Sequence, residues 1–407
     1  MMLARLLRQL IQSGSLTVID AKGTTHRFGR PDETRNVTMR LHDKAVARRL
    51  YLRPHIALGE AYMDGSLTLE EGDVYDLIDL FSRNLGIREQ LPFDAFRRQM
   101  GRLARRLMQY NPLHRSGQNV RHHYDLNGTL YDLFLDSDRQ YSCAYFTRPD
   151  LSLEQAQEAK KRHIAAKLLL SEGQRVLDIG SGWGGMGLFL AEAAKVDVTG
   201  VTLSTEQHAV AQERSARAGL ADRVRFDLTD YRLVEGNFDR IVSVGMFEHV
   251  GVPHYAEYFA KIAELLSDDG VAVLHSIGRM EGPGTTNPWI RRHIFPGGYS
   301  PALSEVLPVI ERCGLWVTDV EILRLHYAET LREWRHRFIA NRGRITELYD
   351  ERFCRMWEFY LAGSEATFRH RGHMVFQIQM AKRVDTVPLN RDYIYDHERQ
   401  GRRELAA

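Results

Sequence analysis

The sequence predicts an α/β fold built on a mostly parallel sheet with helices on both faces, and three observations predict it. From about Glu172 onward, short β-type runs alternate with helical segments. The first run opens directly into a glycine-rich turn. A late β-type run, Met374–Lys382, has no crossover helix after it. The alternation is the rhythm of a parallel sheet buried on both sides, and the late run supplies an antiparallel finish.

In chain order, the N-terminal stretch reads as a smaller, mixed and mainly helical domain. A hairpin fits Leu16–Phe28, helical patterning runs from Asp43 to Leu52, Asp64-Gly65 turns the chain, and a further helix fits Asp73–Leu85. Phe96, Met100, Leu103 and Leu107 then recur at helical spacing within Phe93–Tyr110. Arg97, Arg98, Arg102, Arg105 and Arg106 are interleaved with them. Asn111-Pro112 ends that helix, because a residue before proline is driven out of the helical region. The expected division is therefore 1–117 and 118–400. In the second part the strands are Val176–Ile179, Val196–Val201, Val224–Leu228, Ile241–Val244 and Val271–His275. Helices follow through Ala194, around Glu206–Ala218 and from His254 to Leu266.

A chain of 407 residues suits two domains, and 43% hydrophobic with 27% charged residues excludes disorder and fibrous classes. A net charge of +2 offers no electrostatic case for a nucleic-acid partner, and none is expected. Cys143, Cys313 and Cys354 are odd in number and widely spaced. That excludes a disulfide framework and a paired zinc pattern, and suits a reducing cytoplasm. Polar residues interrupt the apolar stretch of Met1–Leu16 too often for a signal peptide, and no apolar run is long enough to span a bilayer. The expectation is a cytoplasmic protein that meets any lipid from outside the membrane.

Gly180, Gly182 and Gly185 spell G-x-G-x-x-G, which by itself admits a nicotinamide or flavin. Two features point instead to S-adenosylmethionine (SAM). Asp178 lies in the strand just before the first glycine, placed to anchor the loop and the methionine amine. The second strand ends Gly200-Val-Thr-Leu-Ser204, without the acid a dinucleotide ribose requires. After the third strand, Asp230 suits the exocyclic amine of adenine and Tyr231 suits its ring. A sheet of this kind around SAM is the Rossmann-like class I methyltransferase fold.

Six segments in order carry a more specific likeness: Tyr124–Leu133 with Tyr141–Phe146, Leu177–Gly184, Gly200–Gln207, Gly245–Gly251, Leu274–Gly278 and His326–Trp334. Together they resemble the cyclopropane fatty acid synthase family, which includes the mycolic acid cyclopropane synthases. The N-terminal extension resembles that of the bacterial phospholipid-acting synthases. The resemblance implies SAM contacts at Tyr141, Ser142, Asp178, Gly180, Ser181, Gly182, Trp183, Thr202, Leu203, Gln207, Asp230 and Tyr231.

It also implies the chemistry. An isolated alkene attacks the SAM methyl only if held in line in a dry pocket. The resulting carbocation must be sheltered, a task for aromatic faces such as Tyr145, Phe146, Phe247 and Tyr327. A base then removes a proton from the new methyl so that the cyclopropane closes. In the family that base is a bound bicarbonate, and its holders map onto Cys143, Glu248, His275, the backbone of Ile277, and Tyr327. Glu248 would either take the bicarbonate hydroxyl or polarise His275. Glu248-His249 has no further suitably spaced ligands, so no metal is expected.

The implied substrate is an unsaturated phospholipid acyl chain, reached by transient peripheral membrane association. Phe93–Tyr110 reads either as an interfacial anchor or as a helix packed on its own domain. The N-terminal domain would serve lipid binding or homodimerisation. The rival readings are a same-scaffold enzyme giving a methyl-branched acyl chain, a methyltransferase for a small polar acceptor, and a SAM- or lipid-binding protein without catalysis.

Overall fold

The computed structural model describes residues 2–30, 36–86 and 128–404, with side chains up to 399. The Phe93–Tyr110 helix, its Asn111-Pro112 stop and the 117/118 boundary lie outside the described residues. The chain forms two compact units. One holds the N-terminal residues together with Thr285–Pro296 and Ala328–His373. The other holds the rest.

The first unit carries a four-stranded sheet of β1 (Ser15–Ile19), β2 (Thr25–Gly29), β3 (Asn36–Leu41) and β4 (Leu67–Glu71), in the order β2-β1-β3-β4. β1 and β2 form the expected antiparallel hairpin, while β3 runs parallel to β1. Alternation along β1 buries Leu16 and Val18 against Val37 and Met39 of β3. Asp43 caps the Lys44–Leu52 helix by accepting from the Ala45 N–H. Asp73 and Asp76 form a reciprocal capping box at the Val74–Leu85 helix. Trp289, from the downstream part of this unit, is fully buried and packs edge-on to Phe359 at 4.7 Å. The Glu351–His370 helix is tied in by the Tyr62 hydroxyl, which donates to Glu358 at 2.9 Å.

The second unit is a seven-stranded sheet of β5 (Arg175–Ile179), β6 (Asp197–Thr202), β7 (Val224–Leu228), β8 (Phe238–Val244), β9 (Leu266–Arg279), β10 (Trp316–Ile322) and β11 (His373–Ala381). Its order is β10-β11-β9-β8-β5-β6-β7. Strands β5 to β9 pair in parallel, whereas β10 is antiparallel to β11. Neighbouring residues feed opposite cores, as a pleated strand buried on both faces requires. Leu177, Ile241 and Leu274 join one cluster; Val176, Val242 and Val273 join the other. The late strand is present, but it lies between β9 and β10, and its partner β10 precedes it by three helices rather than by a tight turn.

Candidate active site

A cleft opens at the carboxyl ends of β8, β5, β6 and β7, where open α/β sheets place their ligands. All twelve residues nominated for the methyl donor line it, from Tyr141 and Ser142 through the Asp178–Trp183 loop to Asp230 and Tyr231. The loop can pass this close because of its glycines. Gly180 has φ +83°, and a Cβ there would lie 2.6 Å from the Cβ of Met246. Gly185 answers a different demand. It opens the Gly185–Ala194 helix, and a Cβ would collide with the Gln140 amide and come within 2.6 Å of the Asp138 carboxylate.

The cleft wall contains buried polar atoms with no hydrogen-bond partner among the described residues: Asp178 Oδ2, Ser181 Oγ and Trp183 Nε1. Each such atom costs about 1–3 kcal/mol unless a ligand satisfies it. Burial raises the Asp178 carboxyl to about 7, with Lys160 pulling it down. An ammonium group is the partner this carboxylate lacks, so the donor set fits the amino acid end of SAM. Further round, the Thr202 hydroxyl donates to Gln207 Oε1 at 3.0 Å, and Ser204 caps the Thr205–Arg217 helix, whose first turn carries Gln207. Asp230 is gripped by Arg232, Nε to Oδ1 at 2.8 Å and Nη2 to Oδ2 at 2.7 Å. That grip fixes the orientation of the Asp230 carboxylate in the cleft wall.

Several wall residues escaped the sequence reading, among them Arg139, Gln140, Arg232, Met246 and His249. Met246 and His249 lie inside the Gly245–Gly251 segment without having been nominated for the donor, whereas Arg139, Gln140 and Arg232 stand outside every segment. Tyr131 is fully buried and packs its ring 4.8 Å from Trp183 and 5.5 Å from Tyr141. It thereby fixes two of the cleft aromatics.

Three of the five residues nominated for the base site, Cys143, Glu248 and His275, are next in sequence or hydrogen-bonded to residues lining this cleft. Cys143 is buried next to cleft-lining Ser142, its thiol donating to the Ala144 carbonyl at 3.3 Å. Glu248 precedes cleft-lining His249, and its Oε1 accepts the Ile277 N–H at 2.7 Å. His275 is buried, with its carbonyl accepting from the cleft residue Gly245 at 2.9 Å. Gln377 Nε2 donates to His275 Nδ1 at 3.1 Å, which leaves the ring proton on Nε2. Gln377 is a partner the sequence reading did not find. Tyr327 is buried beside His326, whose Nδ1 accepts from the Phe146 N–H at 3.0 Å. One relationship differs from expectation: the Ile277 N–H, nominated to hold an anion, is engaged by the Glu248 carboxylate.

Burial raises the Glu248 carboxyl to about 7 against the pull of the Ile277 N–H. Burial likewise drives His275 well below the usual histidine range and His249 down to about 4, so both imidazoles are neutral. Of the four aromatics nominated to face a cation, three have other ring partners, Phe146 the most distant with His326 at 6.5 Å. Phe247 is fully buried in the core, stacked on Tyr255 at 4.4 Å and packed against Tyr258 and Phe259. Tyr145 stacks on two imidazoles, His163 at 4.3 Å and His326 at 4.9 Å. Among the described residues no group of three or more His, Cys, Asp or Glu side chains is arranged to hold a metal ion.

Known proteins share this sequence and this architecture. The family model described as mycolic acid cyclopropane synthetase matches residues 112–378, and a second model, of a domain of unknown function, matches residues 2–86. The cyclopropane-fatty-acyl-phospholipid synthase of Escherichia coli strain K12 is 38% identical, over 85% of this chain and 88% of its own. The tuberculostearic acid methyltransferase UfaA1 of Mycobacterium tuberculosis is 36% identical, over 90% of this chain and 87% of its own. The crystal structure of mycolic acid cyclopropane synthase CmaA1 complexed with SAH and CTAB superposes with a TM-score of 0.63 at 34% identity, covering 67% of this chain and 99% of that one. With matches of this extent, on a class I fold whose cleft sits where the methyl donor binds, the chain belongs to the mycolic acid cyclopropane synthetase family of SAM-dependent methyltransferases.

Proposed function

We propose that the chain transfers the SAM methyl to the cis double bond of an unsaturated phospholipid acyl chain and closes a cyclopropane ring. The observations that support this reading are a cleft whose Asp178 carboxylate has an oxygen without a hydrogen-bond partner among the described residues, and the ties of Cys143, Glu248 and His275 to residues that line it. The E. coli relative is named a synthase acting on fatty-acyl phospholipids, and the CmaA1 structure is titled as a complex with SAH. Both support the substrate pair.

SAM supplies the electrophilic methyl when bound. Asp178 would hold its ammonium, Thr202, Leu203 and Gln207 its ribose side, and Asp230 and Tyr231 its adenine, while Tyr141, Ser142 and the Gly180–Trp183 loop close round it. The cation left on the acyl chain needs a base and a dry wall. Bicarbonate, when bound, supplies the base. The donors for such an anion are His275 Nε2–H and the Tyr327 hydroxyl, joined by the Cys143 thiol once it turns from the Ala144 carbonyl, and Glu248 accepts its hydroxyl. A Glu248 carboxyl near pKa 7 lowers the repulsion between two anions by sharing a proton. If the Ile277 N–H is also to contact the anion, it does so while shared with Glu248.

The described residues include no helix long and apolar enough to cross a membrane, and the lipid is proposed to be met peripherally. The N-terminal domain of 1–117 is proposed to bind lipid or a second copy of the chain, and 118–400 to carry the chemistry. A second reading, a methylated but unclosed acyl product, is favoured by the name of the UfaA1 relative. Incubating the protein with methyl-labelled SAM and monounsaturated phospholipid vesicles tests the acceptor. Label should enter the lipid and not a saturated control; transfer only to a water-soluble acceptor would contradict the proposal.

A further inference from the structure

The Thr205–Arg217 helix brings more to the cleft than Gln207. Gln207, Ala211 and Arg214 stand at i, i+4 and i+7 and share one helix face. Gln207 lines the cleft. Ala211 is fully buried, and a Cβ on Gly184 would lie 3.0 Å from its methyl group. Two turns on from Gln207, Arg214 Nη1 donates to the Trp183 carbonyl at 2.8 Å. One helix face thus runs along the glycine-rich loop, from the cleft to the start of the Gly185–Ala194 helix.

The other arm of the same guanidinium reaches a different part of the cleft. Arg214 Nη2 donates to Asp138 Oδ1. Asp138 Oδ2 accepts from Lys161 Nζ at 2.9 Å and from Gln140 Nε2 at 3.0 Å. The four residues after Asp138, from Arg139 to Ser142, all line the cleft. The Leu153–Leu168 helix holds the backbone of that wall, because Gln157 Nε2 donates to the carbonyls of Gln140 at 3.1 Å and Ser142 at 3.0 Å. Arg214 therefore joins two pieces of the cleft that come from separate stretches of chain. An isolated, exposed ion pair contributes little. This one is mostly covered, with side-chain exposures of 26% for Arg214 and 21% for Asp138, and the same cation also serves a backbone carbonyl. The planar fork of arginine suits two acceptors held in fixed geometry.

We propose that Arg214 is a positioning residue for the methyl donor: its guanidinium pins the Trp183 end of the glycine-rich loop to the Asp138–Ser142 wall and holds the two sides of the cleft at a fixed separation. This rests on the reading of the cleft as the SAM site. On one side of the pin lies Trp183, whose buried Nε1 has no hydrogen-bond partner among the described residues; on the other lie Tyr141 and Ser142. Donor contacts on both sides thus depend on a side chain that does not itself line the cleft.

The test is calorimetric titration of S-adenosylhomocysteine into the full chain for the wild type, Arg214→Met and Arg214→Lys, with circular dichroism of each. A lost positioning contact raises the dissociation constant at full stoichiometry, whereas a merely structural loss lowers the fraction of competent sites at wild-type affinity. Arg214→Met removes both sets of hydrogen bonds and should bind about tenfold more weakly, with stoichiometry unchanged. Arg214→Lys keeps a charge beside Asp138 but loses the fork, and should bind about threefold more weakly. An affinity within about twofold of wild type in folded Arg214→Met, or equal losses in the two variants, would overturn the proposal. Reduced stoichiometry at wild-type affinity would overturn it as well. If Arg214→Met loses the native circular dichroism, Arg214→Lys decides, and wild-type affinity there overturns the proposal. Loss of the native signal in both variants would assign Arg214 to folding and overturn it too. A wild type that binds no S-adenosylhomocysteine would instead refute the reading of the cleft, and the proposal with it.

Discussion

Glu248 Oε1 accepts the Ile277 N–H at 2.7 Å, while Oε2 of the same carboxyl is buried with no hydrogen-bond partner among the described residues. The neighbouring Ser276 hydroxyl is engaged by the Ile277 carbonyl at 3.1 Å. One oxygen thus fixes the side chain and leaves the other for the proposed anion. Glu248→Gln retains an acceptor for Ile277 and removes the anionic form. Turnover on unsaturated vesicles should fall by about 10²–10⁴, with S-adenosylhomocysteine affinity within about threefold of wild type. A matched loss of affinity would place Glu248 in donor binding instead.

Asp178→Asn should separate binding from stability. The folded carboxyl sits near 7 against an ordinary 3.8. Its stability contribution is therefore full below pH 4 and lost as pH rises through 7. The variant should exceed wild type in stability at pH 8 by about 2 kcal/mol without ligand, with the gap closing toward pH 4. Binding of S-adenosylhomocysteine should weaken at least about tenfold. Urea unfolding at the two pH values and calorimetry check both halves.

His163 is held between two carboxylates, Nε2 at 2.7 Å from Glu321 and Nδ1 at 2.6 Å from Glu398 of the Asp392–Glu404 helix. Burial alone would lower its pKa, but the hydrogen bonds to Glu321 and Glu398 outweigh it and raise the value. Stability from this group is present below the ordinary histidine value and fades as pH rises through the raised one. Glu398→Gln should cost about 1–3 kcal/mol at pH 6 and less at pH 9. The His163 ring resonance should titrate at lower pH than in wild type.

Gly180→Ala combines a left-handed φ of +83° with a Cβ 2.6 Å from Met246. A stability loss of about 2 kcal/mol or more is expected, with weaker S-adenosylhomocysteine binding because the Asp178–Trp183 loop must shift. Thermal denaturation with and without ligand measures both.

The parallel sheet was legible because its strands are short, apolar and punctuated by glycine, and because most of the nominated SAM residues follow the ends of β5, β6 and β7. Hydrophobic periodicity is local, however. It could not reveal that Ala328–His373 packs with the N-terminal unit, nor that β10 precedes β11 across three intervening helices. Side-chain direction was equally hidden. Phe247 sits beside Glu248 in sequence, yet turns into the core among Tyr255, Tyr258 and Phe259. Lys160 and Gln377 belong to no motif, and only the fold brings them to Ser142 and His275.

Ring closure is the central claim, and it is tested most directly with SAM carrying a fully deuterated methyl group and monounsaturated phospholipid vesicles. Deprotonation of the transferred methyl predicts a lipid product holding two of its three deuterons in a cyclopropane CD2 group, seen by mass and by deuterium NMR. A product that keeps all three deuterons in a methyl branch would contradict the account.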